Sequence, residues 1–129
     1  MSTEPNEHLL QGARVLVVED EAAISMLLED MLLDFGCEIV GPAARLATAL
    51  EMAQNESFTV AILDVNVAGE PIYPVAEAIV ARGLPLVFST GYGGAGIREP
   101  FRDRPVVQKP FSQSDLKRTL IQAIAAAKR

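Results

Sequence analysis

The stretch "VAILDVNVAGEPIYP", residues 60–74, runs apolar for four residues and then stops on an acid. Val60 to Leu63 read as a strand covered on both faces, because no polar residue alternates with the apolar ones. Asp64 therefore falls where such a strand surfaces. An aspartate there either forms a turn or is placed to react. What the rest of the chain brings to the same edge decides between the two.

On either side of this stretch, strand-like and helix-like segments alternate. "RVLVV" (14–18) is a second strand-like run, unbroken in apolar residues from Val15. From Glu21 to Phe35, Ile24, Leu27, Leu28, Met31, Leu32 and Phe35 recur at three- and four-residue spacing, which is helical, and Gly36 stops the helix. "CEIVG" (37–41) is a short strand, and Pro42 opens a helix over 43–54. The central strand spans 58–64 and is followed by a helix over 75–83. Further strands fall at 84–90 and 105–108, and a last helix runs from Ser112 to Ala127. Ser112 with Asp115 resembles a capping box, and Leu116, Leu120, Ile121 and Ile124 give that helix its buried face. Such alternation implies an α/β fold, a doubly wound five-stranded parallel sheet. "GYGGAGIREPFRDR" (91–104) is too glycine-rich for a regular helix, so the fourth helix is expected to be short or irregular.

In open parallel sheets, ligands bind beyond the carboxyl ends of the strands. The first strand delivers Glu19 and Asp20 there, the third Asp64, the fourth Ser89 and Thr90, and the fifth Lys109 and Pro110. Each alone has a structural reading: a cap for Asp20, a turn for Asp64, a solvated surface position for Lys109. Together they are different, because carboxylates that cluster repel and folding alone does not require them. Hard oxygen ligands in a small acidic pocket suit Mg²⁺, with one or two carboxylates and a phosphate oxygen. An ionised aspartate beside such a cation can attack phosphorus and form an aspartyl phosphate. A lysine and a threonine then neutralise and hydrogen-bond the phosphoryl oxygens. On this reading Asp64 is placed to react.

Composition excludes several other classes. The 129 residues suit one domain, and 50% hydrophobic content rules out a disordered chain. A net charge of −6 without a basic run argues against nucleic acid as a direct partner. No apolar run is long enough to span a membrane, and a single cysteine, Cys37, excludes an internal disulfide and suits the reducing cytoplasm. Cys37 is expected in the core. Residues 1–13 read as a polar N-terminal tail carrying His8, the only histidine, which is expected to be solvated.

The motifs "VLVVEDE", "AILDVN", "FSTG" and "QKPF" together resemble the receiver domains of two-component response regulators, from about Arg14 to the last helix. That resemblance implies a (βα)5 flavodoxin-like fold over residues 14–129. It implies Asp64 as phosphoacceptor, and Glu19, Asp20, Asp64 and the Asn66 backbone carbonyl as Mg²⁺ ligands. Thr90 is then the switch hydroxyl, Lys109 pairs with Asp64 or its phosphate, and the Lys109–Pro110 bond is cis. The implied partner is a sensor histidine kinase or histidine phosphotransferase, with a downstream protein effector. A receiver accepts phosphate without being an enzyme in the usual sense. With no output domain, it would signal by protein contact, without nucleic acid or membrane. "FSTGYG" (88–93) is similar to the FAT GUY subgroup of alphaproteobacterial single-domain receivers in general stress phosphorelays, with Ser89 where that motif usually has Ala.

The chain departs from the common pattern at two further places. Ala68 stands where the family commonly has a proline-containing turn, and Val106 where it commonly has an aromatic switch residue. Signal transmission is then expected to use the glycine-rich segment, with Tyr92 either near the phosphate or as a half-buried anchor. Three rival readings remain. A phosphatase with an aspartate nucleophile commonly carries a second carboxylate two residues on, where this chain has Asn66. "GYGGAG" (91–96) formally matches a dinucleotide fingerprint, but it follows the wrong strand and Pro100 prevents a long helix. The third is a receiver-like binding module that works without phosphorylation; the intact Asp64, Thr90 and Lys109 count against it.

Overall fold

In the computed structural model, which describes residues 7–91 and 97–127, strands and helices alternate as the sequence predicts. The first two strands are β1 (Arg14–Val18) and β2 (Glu38–Ala43), with helix α1 (Ala22–Asp34) between them. Helix α2 (Leu46–Asn55) leads to β3 (Val60–Asp64). A small hairpin follows, β4 (Asn66–Val67) and β5 (Glu70–Pro71), and then α3 (Tyr73–Ala81). The chain continues through β6 (Leu86–Thr90) and β7 (Val106–Gln108) to α4 (Gln113–Ala127). The five long strands are all parallel, in the order β2-β1-β3-β6-β7. The direction of winding reverses between β1 and β3, which opens a crevice at their carboxyl ends.

Alternate side chains of each strand feed two cores. Val15, Val17, Ile62 and Val87 pack with Leu28 and Leu32 of α1 and Leu116 and Leu120 of α4. Leu16, Val18, Leu63 and Phe88 pack on the other face with Ala49 and Ala53 of α2 and Val75 and Ile79 of α3. All of β3 is buried, which is why its sequence shows no alternation. Ser112 caps α4 as expected: its hydroxyl accepts the Asp115 N–H at 3.1 Å. Cys37 lies in the core, where burial pushes its thiol up to about 11, and His8 is exposed.

Several expectations are corrected. Pro42 does not open a helix; it lies inside β2, and α2 begins only at Leu46. Proline is tolerated there because β2 is an edge strand with one neighbour. The register slips by one residue between Leu16 and Val18 to accommodate it. Gly41 takes φ 101° at the slip, where a Cβ would meet the Val17 carbonyl at 3.0 Å. Residues 7–10 form a 3-10 turn that buries Leu10, and Ala13 is buried too, so the stretch read as a polar tail supplies part of the core. Leu27, counted on the apolar face of α1, is 45% exposed.

The hairpin was not foreseen. Its two-residue turn, Ala68 (φ 52°) and Gly69 (φ 85°), has both residues left-handed, the backbone of a type I′ connection. Among the described residues no helix lies between β6 and β7; residues 97–104 form turns.

Candidate functional site

The crevice is built where the chain leaves four strands, β1, β3, β6 and β7. β1 ends at Val18, and the Glu19 N–H then donates to the Ala43 carbonyl at 3.0 Å, so the end of β2 fixes Glu19. Glu19 is only 2% exposed. Its Oε2 accepts the Glu21 N–H at 3.1 Å, which turns its carboxylate back over the start of α1. Asp20 next to it is exposed, and its Oδ2 accepts the Ala68 N–H at 3.0 Å. The hairpin thus holds Asp20 against the end of β3. Asp64 closes β3, 9% exposed, with its Oδ1 accepting the Asn66 N–H at 3.4 Å. One oxygen from each of Glu19, Asp20 and Asp64 lies within 4.8 Å of the others.

Lys109 enters from the far side. Its N–H donates to the Thr90 carbonyl at 2.9 Å, which ties it to the end of β6, and the Lys109–Pro110 bond is cis. Its ammonium lies 3.1 Å from Glu19 Oε1, 3.4 Å from Asp64 Oδ2 and 3.9 Å from Glu21 Oε1. Since β6 separates β7 from β3, the side chain reaches its carboxylates across the end of β6. One ammonium faces three clustered carboxylates. Accordingly, burial first, and the Glu19 charge second, push the Asp64 carboxyl up to about 7, against the pull of Lys109 and the Asn66 N–H. Burial works against the Lys109 ammonium, but Glu19 and Asp64 outweigh it and hold its pKa above the ordinary value.

The crevice therefore gathers Glu19, Asp20, Asp64 and Lys109, with the Asn66 N–H on Asp64 and the Thr90 carbonyl on the Lys109 N–H. Thr90 is buried at the end of β6. Pro110 is exposed beside the site, Val106 is half-buried on β7, and Tyr92 falls outside the described residues. The donor set, hard oxygens with a surplus of negative charge, fits a divalent cation such as Mg²⁺.

Sequence reasoning missed an aromatic cluster behind the crevice. Tyr73 stacks on Phe101 with ring centroids 5.8 Å apart, and Phe88 meets Phe101 edge-on at 5.9 Å. The Tyr73 hydroxyl accepts the Arg98 N–H at 2.9 Å, and the Arg98 guanidinium lies 4.5 Å from the Tyr73 ring centroid. The segment after β6 is thereby fastened to the start of α3. Tyr73 stands directly before Pro74, and that proline at a helix start was its one visible signal.

No family model matches the chain. Over 107 residues it is 36% identical to PdtaR, a transcriptional regulatory protein of Mycobacterium tuberculosis; the match covers 80% of this chain and 52% of PdtaR. The chain thus spans about half the length of that relative. SdrG from Sphingomonas melonis Fr1 is 41% identical with a TM-score of 0.76, over 92% of this chain and 98% of SdrG. The receiver domain of the response regulator PhyR from Erythrobacter litoralis is 31% identical with a TM-score of 0.78, over 91% of this chain and 93% of that domain. The chain belongs to the response-regulator receiver domains. This receiver also matches the BeF3-activated conformation of SdrG, 41% identical with a TM-score of 0.74, over 86% of this chain and 95% of SdrG. PhyR is a stress response regulator. This receiver is thus a domain of two-component signalling.

Proposed function

We propose that this receiver is a phosphoacceptor regulator, phosphorylated on Asp64 by a histidine kinase or histidine phosphotransferase in the presence of Mg²⁺. The observation that carries the reading is the meeting of Glu19, Asp20 and Asp64 within 4.8 Å, with the Lys109 ammonium 3.4 Å from Asp64. Glu19, Asp20, Asp64 and the Asn66 carbonyl would hold the cation. Bound there, Mg²⁺ supplies charge stabilisation at the phosphoryl oxygens.

The chain's own groups do the rest. An Asp64 oxygen bonds to phosphorus as the phosphorus–nitrogen bond of a phosphohistidine breaks, and the electron pair leaves with the imidazole, which takes up a proton. Lys109 offsets charge on the phosphoryl group, and the Thr90 hydroxyl, at the adjacent strand end, reads its arrival. The acidic balance of the chain, −6, favours read-out by protein contact rather than by nucleic acid. The likeness to SdrG and PhyR, with "FSTGYG" at 88–93, supports a place in a general stress phosphorelay as a FAT GUY-type regulator.

Incubation with acetyl phosphate and Mg²⁺, followed by mass spectrometry, tests the assignment. The phosphoryl group is expected on Asp64 and is expected to be absent from Asp64→Asn. Equal incorporation into the variant would overturn it.

A further inference from the structure

Ser89 presents an anomaly in the wall of the crevice. It is 1% exposed, and its hydroxyl has no hydrogen-bond partner among the described residues. A buried hydroxyl left so is unfavourable, and alanine would fill the position without that penalty. Its place in the ladder suggests what the hydroxyl is for. Ser89 pairs with Asp64 of β3 on one side and with Val107 of β7 on the other. Paired residues of adjacent strands turn their side chains to the same face of the sheet, so Ser89 and Asp64 stand side by side. β6, which carries Ser89, lies between β7 and β3, and the Lys109 ammonium at the end of β7 stands 3.4 Å from Asp64 Oδ2. In the resting crevice both Asp64 oxygens are engaged, Oδ1 by the Asn66 N–H and Oδ2 by Lys109.

We infer that Ser89 is a hydrogen-bond donor held in reserve for the Asp64 carboxyl, and that it hastens loss of the phosphoryl group. This inference rests on Asp64 being the phosphoacceptor. Phosphorylation draws the Lys109 ammonium toward the new negative charge and frees the carboxyl oxygen it held. The neighbouring hydroxyl then donates to that oxygen. In hydrolysis, a water oxygen bonds to phosphorus and the bond from phosphorus to the Asp64 oxygen breaks. The electron pair goes to the Asp64 carboxylate, and the water's proton passes to the released phosphate or to solvent. Negative charge grows on the departing carboxylate, so a donor there favours departure. Alanine at this position, which the FAT GUY motif usually carries, would give a longer-lived aspartyl phosphate.

The test is the lifetime of phosphorylated protein after removal of the donor, in the full chain with Mg²⁺. Ser89→Ala is expected to lengthen it roughly five- to tenfold, the scale of one hydrogen bond. Ser89→Thr, which keeps the hydroxyl, is expected to stay close to the parent protein. An unchanged lifetime in Ser89→Ala would overturn the inference, as would a Thr variant as long-lived as the Ala variant, since packing would then be the cause. Either result leaves phosphorylation of Asp64 intact. Parent protein that takes no phosphoryl group on Asp64 would overturn the underlying assignment as well.

Discussion

Replacing Asp64 by asparagine is expected to stabilise the metal-free protein, and to do so only above acid pH. In the folded chain, burial and the Glu19 charge raise the Asp64 carboxyl from its ordinary 3.8 to about 7. A group with a raised folded pKa binds its proton more tightly in the native state. Its contribution is therefore complete below about pH 3.8 and is lost as the pH climbs to about 7. The whole displacement, from 3.8 to about 7, corresponds to about 4 kcal/mol. Asparagine is never ionised, and Lys109 keeps Glu19 at 3.1 Å, so the substitution strands no cation. Between pH 5 and pH 8 the advantage of Asp64→Asn is expected to grow by about 3 kcal/mol. Urea denaturation of both proteins with a chelator present, at half-unit pH steps, measures this difference directly. Titrations common to both proteins cancel. A stability gap of constant size from pH 5 to 8 would refute the reasoning, because an Asp64 already ionised at pH 5 cannot be held up by its surroundings.

Added Mg²⁺ is expected to raise the melting temperature at neutral pH, by an amount equivalent to about 2.7 kcal/mol at a hundred times the dissociation constant. Asp20→Ala should abolish that response, and a melting curve indifferent to millimolar Mg²⁺ would count against the cation site. Ala68→Gly is expected to stabilise the protein by about 0.5–1 kcal/mol in chemical denaturation. The left-handed backbone at φ 52° strains alanine by about 1–2 kcal/mol, and the greater freedom of unfolded glycine returns part of the gain. A less stable Ala68→Gly would show that the turn is not strained.

What the sequence made legible follows from how strongly each signal is tied to burial. The apolar runs at 15–18 and 60–63 identified strands covered on both faces, and the structure buries both. Once the sheet was parallel, the strand-end rule brought Glu19, Asp20, Asp64, Thr90 and Lys109 together without any contact being known. Pro42 was misread because a proline looks the same opening a helix or sitting in an edge strand; only the partner on one side of β2 distinguishes them. The hairpin was invisible because alanine is a poor marker for a left-handed turn. Tyr73 was hidden for a different reason. Its significance lies in a partner more than ten residues away in the chain, Arg98, and no local pattern announces such a pair.

Pro42 has a consequence beyond the placement of α2. An exposed sheet margin is a template on which another chain can lay a strand, and proteins blunt such margins with prolines, bulges or brevity. Here one margin, β2, carries the Gly41–Pro42 slip, and the other, β7, is three residues long. Neither offers an uninterrupted row of backbone donors and acceptors. The fold therefore resists strand-by-strand aggregation from both margins of the five-stranded sheet.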